Sequence, residues 1–172
     1  MVNPIPDKLI NFNVYDEGEK LVGIASEVTL PSLEGMTETV SGAGIAGEFE
    51  SATPGHFGSM TTEITFKTIF DKAFSLMKPG GKTLTLRGSQ QFNDFAGGGI
   101  QSRALKIVMK VIPKTLDLGK MAVSAMTETK NTLEVLYVKV IENDKEILEL
   151  DKLNFIFKLN GEDILGPIQS QI

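Results

Sequence analysis

The chain has 172 residues, 41% hydrophobic and 23% charged, with a net charge of −5 and no cysteine. That is one ordinary domain with enough apolar side chains to bury a core, which excludes disorder. The acidic balance argues against a general nucleic-acid binder or a partner for an anionic membrane surface. The missing cysteines exclude disulfides and thiolate chemistry, and neither a leader-like amino terminus nor an apolar run of membrane-spanning length is visible.

In chain order, residues 1–8 read as an irregular arm because Pro4 and Pro6 interrupt regular structure. Residues 9–15 alternate as a strand, residues 16–19 form a turn, and residues 20–30 form a second strand with Val22, Ile24, Val28 and Leu30 on one face. Pro31 ends it. Residues 32–58 are then rich in glycine, serine, threonine and glutamate and poor in large apolar residues. So long a segment without a core of its own reads as a projecting loop or hairpin arm that docks on another subunit.

Residues 60–67 alternate cleanly as a strand. Ile69, Phe70, Ala73, Phe74 and Met77 then recur at helical spacing, which predicts one short helix over about 69–78, opened by a Thr68–Asp71 capping box and stopped by Pro79-Gly80-Gly81. Residues 82–87 read as a strand, 88–99 as a polar glycine-rich loop, 103–112 as a strand and 113–120 as a loop.

Residues 133–165 are the most strongly patterned. Leu136, Val138 and Val140 give one apolar face, with Val135, Tyr137, Lys139 and Ile141 on a mixed one. A turn at 142–145 returns the chain. Leu148 and Leu150 point one way, and Leu153, Phe155, Phe157 and Leu159 fall on the opposite parity. A change of parity at Asp151-Lys152 implies a bulge or a strand passing between sheets. Asn160-Gly161 supplies a further hairpin turn. The sum is six to eight strands and one helix: a mainly β fold, a β-sandwich or partly closed barrel with one flanking helix.

No constellation of catalytic, cofactor-binding or metal-binding residues emerges. Gly42-Ala43-Gly44-Ile45-Ala46-Gly47 has the spacing of a dinucleotide fingerprint, but residues 48–55 leave no room for the helix that must follow it. A flexible glycine-rich arm is the better account, and a nucleotide-dependent enzyme is the weaker alternative. His56 is the single histidine, so metal ligation and serine activation at Ser41, Ser51 or Ser59 lack partners. Glu146, Glu149 and Asp151 read as a solvated strand edge, and Lys106 and Lys110 as an intersubunit or solvent-facing pair.

The order of motifs resembles the major tail tube protein family of contractile-tailed bacteriophages, which extends to contractile bacteriocins. The matching stretches are residues 9–15 (LINFNVY), 25–33 (ASEVTLPSL), the glycine stretch 41–47, 86–90 (LRGSQ) and 149–155 (ELDKLNF), running on through 158–161. The resemblance implies a single tail-tube domain over 1–172, without catalysis or cofactors. It further implies hexameric rings stacked into a hollow tube for genome delivery, with an arm reaching a neighbouring ring; the alternative is a DNA-free bacteriocin tube. Implied partners are other copies of the chain, the contractile sheath protein, the baseplate and tail terminator proteins, the tape measure protein and DNA in the lumen, with no membrane binding. The implied location is the virion tail or bacteriocin particle, assembled in the bacterial cytoplasm. On this reading the intersubunit interface falls on Leu30, Pro31, Leu33, Ser41, Gly42, Gly44, Gly47, Phe49, Tyr137, Phe155 and Phe157. The stretch after Pro31 is acidic here, whereas such relatives often carry basic residues at that place.

Overall fold

The computed structural model describes residues 4–94 and 97–172, with Ala25 and Ser26 described by backbone alone. The fold is mainly β, as expected, and its sheets are not closed into a barrel. The strands, in chain order, are β1 (Ile5–Asp16), β2 (Glu19–Leu21), β3 (Ile24–Thr29), β4 (Gly35–Ser41), β5 (Glu48–Phe57) and β6 (Thr61–Phe66). The helical turn α1 (Asp71–Ser75) follows, then β7 (Lys82–Asp94), β8 (Gly99–Asp117), β9 (Thr129–Glu142), β10 (Lys145–Asp151), β11 (Ile156–Leu159), β12 (Glu162–Asp163) and α2 (Gly166–Gln169).

The main sheet runs β12-β11-β10-β9-β8-β7-β1-β2, with β6 also paired to β9 and β3 to β6. It forks at β9. The first half of β9 pairs with β6 through Glu134↔Thr61, and the second half pairs with β10 through Tyr137↔Asp151. A register shift against β8 falls at the same place, where Lys110 faces Tyr137 and Val111 faces Val135. The bulge reverses the face that β9 presents. Leu133 and Val135 enter the core on one side of it, and Val138 on the other. Val135 therefore belongs to the core rather than to the expected mixed face. At the fork the Val135 amide donates to the Met60 carbonyl (2.7 Å), and the Leu136 carbonyl accepts from the Lys152 amide (3.1 Å).

The core lies where the two branches meet. Phe66, Ile64, Met60, Leu84, Met109, Val111, Leu133 and Val135 are all buried there. Burying each large side chain contributes roughly 1.5–3 kcal/mol. The strict alternation expected of residues 60–66 is what places Met60, Ile64 and Phe66 inward.

Several boundaries differ from the sequence reading. β1 begins at Ile5, so residues 5–8, half of the expected irregular arm, are strand; residues 1–3 lie outside the described residues. Pro6 is tolerated because β1 pairs with β2 only at residues 14–16, and its register against β7 shifts beside Pro6. The expected strand 20–30 is two strands, broken at Val22-Gly23: β2 pairs with β1, and β3 crosses to β6. The expected loop 88–99 is largely a long β7–β8 hairpin; Phe95 and Ala96 lie outside the described residues. Gly88 marks a close approach of side chains, since a Cβ there would stand 2.9 Å from Leu9 Cδ1. The expected loop 113–120 is strand as far as Asp117, and Pro113 sits at a bulge where no ladder donor is needed. The helix shrinks to Asp71–Ser75 with Phe70 at its N-cap and no side-chain cap, so the expected capping box is absent. Ala73 and Leu76 are its buried residues, while Ile69, Phe70 and Phe74 stand exposed.

The parity change at Asp151 marks a reversal of the chain. Asp151 pairs with Ile156, making β10 and β11 a hairpin in place of one long strand. Asp151 Oδ1 accepts from the Leu153 and Asn154 amides (3.0 Å each), and Oδ2 accepts from Asn154 Nδ2 (2.6 Å). The connections at Glu17-Gly18, Asn143-Asp144 and Asn160-Gly161 are two-residue turns with both φ values positive, the geometry that suits tight hairpins.

Candidate functional site

The feature least explained by the fold itself is the arm. β4 and β5 form a two-stranded sheet of their own, in register from Thr37↔Ala52 to Ser41↔Glu48. The alternating Thr37, Thr39 and Ser41 make it extended, and the glycine stretch 42–47 turns it, with the Ile45 amide donating to the Gly42 carbonyl (3.1 Å). Strand β5 follows the stretch where a dinucleotide site would have a helix. One face pairs Thr39 with Glu50 and Ser41 with Glu48, and Thr37 Oγ1 donates to Glu50 Oε2 (3.1 Å). The other face pairs Val40 with Phe49, and Phe49 is 53% exposed. A lone hairpin of this kind is marginal in water, so an exposed aromatic on it is a surface without its partner.

The root of the arm is anchored. Gly55, at φ +75°, lies under Leu165, which is fully buried. His56 and Phe155 have ring centroids 5.8 Å apart, and Phe57 meets Phe157 edge to face at 5.0 Å. Gln169 Nε2 donates to the Phe155 carbonyl (2.7 Å), so α2 holds the aromatic that holds the arm. Below it the Gly58 amide donates to the Glu34 carbonyl (2.9 Å), and Lys152 Nζ donates to the Gly58 carbonyl.

The residues expected at the interface divide into two groups. Leu30 is exposed, Pro31 and Leu33 are half-buried at the entrance to the arm, and Ser41, Gly42, Gly44, Gly47 and Phe49 are exposed on its outer half. Tyr137, Phe155 and Phe157 are half-buried and engaged within the chain. Tyr137 Oη donates to Glu149 Oε1 (2.9 Å), and burial, then this bond, raise the phenol well above its ordinary pKa. Several of the polar residues weighed for chemistry are likewise engaged within the chain. Ser59 Oγ donates to Glu134 Oε2 (2.7 Å). Lys139 pairs with Glu146 (2.6 Å), a contact that raises the lysine's pKa and lowers the carboxyl's. Among the described residues no cluster of metal-ligating side chains forms.

Other open surfaces lie away from the arm. The unpaired stretches of β1 and β3 flank a groove of about 220 Å³ lined by Leu9, Phe12, Val28, Leu30, Leu86 and Ile107. Met121 and Val123 stand 92% and 98% exposed on the loop between β8 and β9. Periodicity reports which side of a strand is apolar and cannot report whether a second layer covers it.

Residues 6–172 match the family described as phage tail tube protein FII. The chain is also 27% identical over 169 residues to the tail tube protein of Escherichia phage P2, covering 94% of each chain. It is 26% identical over 160 residues to the major tail tube protein of Serratia phage KSP20, covering 93% of this chain and 91% of that one.

Proposed function

This chain belongs to the phage tail tube protein FII family, and from that membership we propose that it forms hexameric rings that stack into the hollow tube of a contractile tail, a conduit for genome delivery. The observation that supports stacking best is the arm, a hairpin whose strands pair only with each other among the described residues, anchored at its root and presenting a face with the exposed Phe49 beside the half-buried Val40. In a tube that face is buried on a neighbouring ring. The unpaired edges of β1 and β3 support lateral joining, because ring closure satisfies strand edges that otherwise invite aggregation. The sheath surrounds the tube, baseplate and terminator proteins close its ends, and the tape measure protein and DNA occupy the lumen.

Electron microscopy of the concentrated protein tests this reading. Hollow tubes are expected from the complete chain. A variant in which residues 38–50 are replaced by a two-residue turn should fold and remain unassembled. Tubes formed without the arm tip would refute the role given to it.

A further inference from the structure

The arm carries negative charge outside any ion pair among the described residues, and one face of the main sheet carries three cations in the same condition. The sequence has no lysine or arginine between Lys20 and Lys67, while the arm and its approach carry Glu34, Glu38, Glu48 and Glu50. All four glutamates are exposed, and none is in an ion pair among the described residues.

On the main sheet, Leu84, Leu86, Ile107 and Met109 point to the core, so alternation sends Arg87, Lys106 and Lys110 to the opposite face. Arg87 lies directly across the ladder from Lys106, a like-charge pairing that disfavours the isolated subunit. None of the three is in an ion pair among the described residues. Arg87 rests over the Tyr15 ring (5.6 Å) and Lys110 over the Tyr137 ring (5.2 Å), which shows both cations using aromatic faces instead. Asp151, the carboxylate that Lys110 acts on from a distance, is committed to capping its own turn.

We propose that the acidic arm of one copy docks on the Arg87–Lys106–Lys110 face of a second copy. The inference rests on the tube reading above and adds to it the acceptor surface. It explains why a subunit keeps two like-charged clusters apart and unpaired, since each supplies the counter-charge of the other on assembly. Complementary clusters of this kind also orient the encounter and reject a wrong register. The contact weakens as salt is raised.

Charge reversal tests it. The face variant is K106E/K110E, the arm variant is E38K/E48K/E50K, and a third chain carries all five changes. Every position is half-buried or exposed, and circular dichroism checks that each variant is folded. Either partial reversal should raise the concentration needed for tubes by at least about tenfold, and the five-fold variant should recover most of that loss. Sedimentation of an equimolar mixture of the face and arm variants reads the contact without requiring tubes, and the two should associate while neither does alone. If the unaltered chain makes no tubes, the tube reading fails, and this mixture still decides the docking. A folded face variant that assembles like the unaltered chain, or a mixture that does not associate, overturns the proposal. So does a face variant that assembles normally and loses only DNA retention, which would turn this face toward nucleic acid.

Discussion

Replacing Gly55 by alanine tests whether the arm is clamped at its root. Two costs arise. Gly55 has φ +75°, where an L side chain costs about 1–2 kcal/mol. An ideal Cβ there stands 2.6 Å from Leu165 Cδ1 and 2.7 Å from Cδ2, about 1 Å inside ordinary carbon–carbon contact. Leu165 is fully buried and cannot turn aside into solvent, so forcing it to shift costs about another 1–3 kcal/mol. The total expected for Gly55→Ala is therefore about 2–5 kcal/mol. Gly44→Ala is the control. Its φ is +90°, but nothing lies within 4 Å of the added carbon, and it sits at the arm tip. Strain there frays the hairpin locally and should change global stability by less than about 0.5 kcal/mol. The assay is urea unfolding of the unassembled protein by circular dichroism. A double-mutant cycle adds the decisive comparison. In a Leu165→Ala background the clash is gone, and Gly55→Ala should cost only its backbone strain, about 1–2 kcal/mol. If Gly55→Ala matches Gly44→Ala, or if Leu165→Ala relieves none of its cost, the clamp is wrong.

Two further outcomes are expected. Asp151→Ala leaves the Leu153 and Asn154 amides without their acceptor and should cost about 2 kcal/mol in urea unfolding, whereas Asp151→Asn, which keeps an acceptor oxygen, should cost less than half of that; equal losses in the two variants would show that the turn does not depend on that oxygen. For Glu134, burial pushes the carboxyl up, but the bonds from Ser59 and the Met60 amide, with Lys114, outweigh it and leave the pKa below its ordinary 4.5. Its stabilisation is therefore fully present above pH 4.5 and lost as the pH falls through the lower folded-state value. Asp16, raised from 3.8 by burial against the opposing pull of Lys82, acts with the reverse sign, and its penalty fades on acidification. Glu134→Gln should flatten the fall in stability below pH 4.5, and an acid limb of unchanged steepness in that variant would remove Glu134 from the account.

What was legible in the chain were features set by neighbours in sequence. The hairpin turns at Glu17-Gly18, Asn143-Asp144 and Asn160-Gly161 follow from residues that tolerate positive φ. The strand 61–66 follows from alternation, and the arm from a stretch too poor in apolar side chains to enclose itself. The mainly β class is the sum of such local choices, and of the eleven residues expected at the interface Ser41, Gly42, Gly44, Gly47 and Phe49 lie on the arm and are exposed. Tertiary structure decided the rest. Whether residues 20–30 make one strand or two depends on which partner each half finds, β1 or β6, and partners lie far away in sequence. The mostly polar residues 89–94 look like a loop until two flanking strands supply their ladder bonds. Val135 is a core residue only because a bulge at the fork reverses its side, a matter of register against β8 and β6. The Arg87–Lys106 pair exists only once two strands align. Backbone torsions are chosen by a residue and its immediate neighbours, while pairing, register and coverage are chosen by surfaces that only the folded chain brings together.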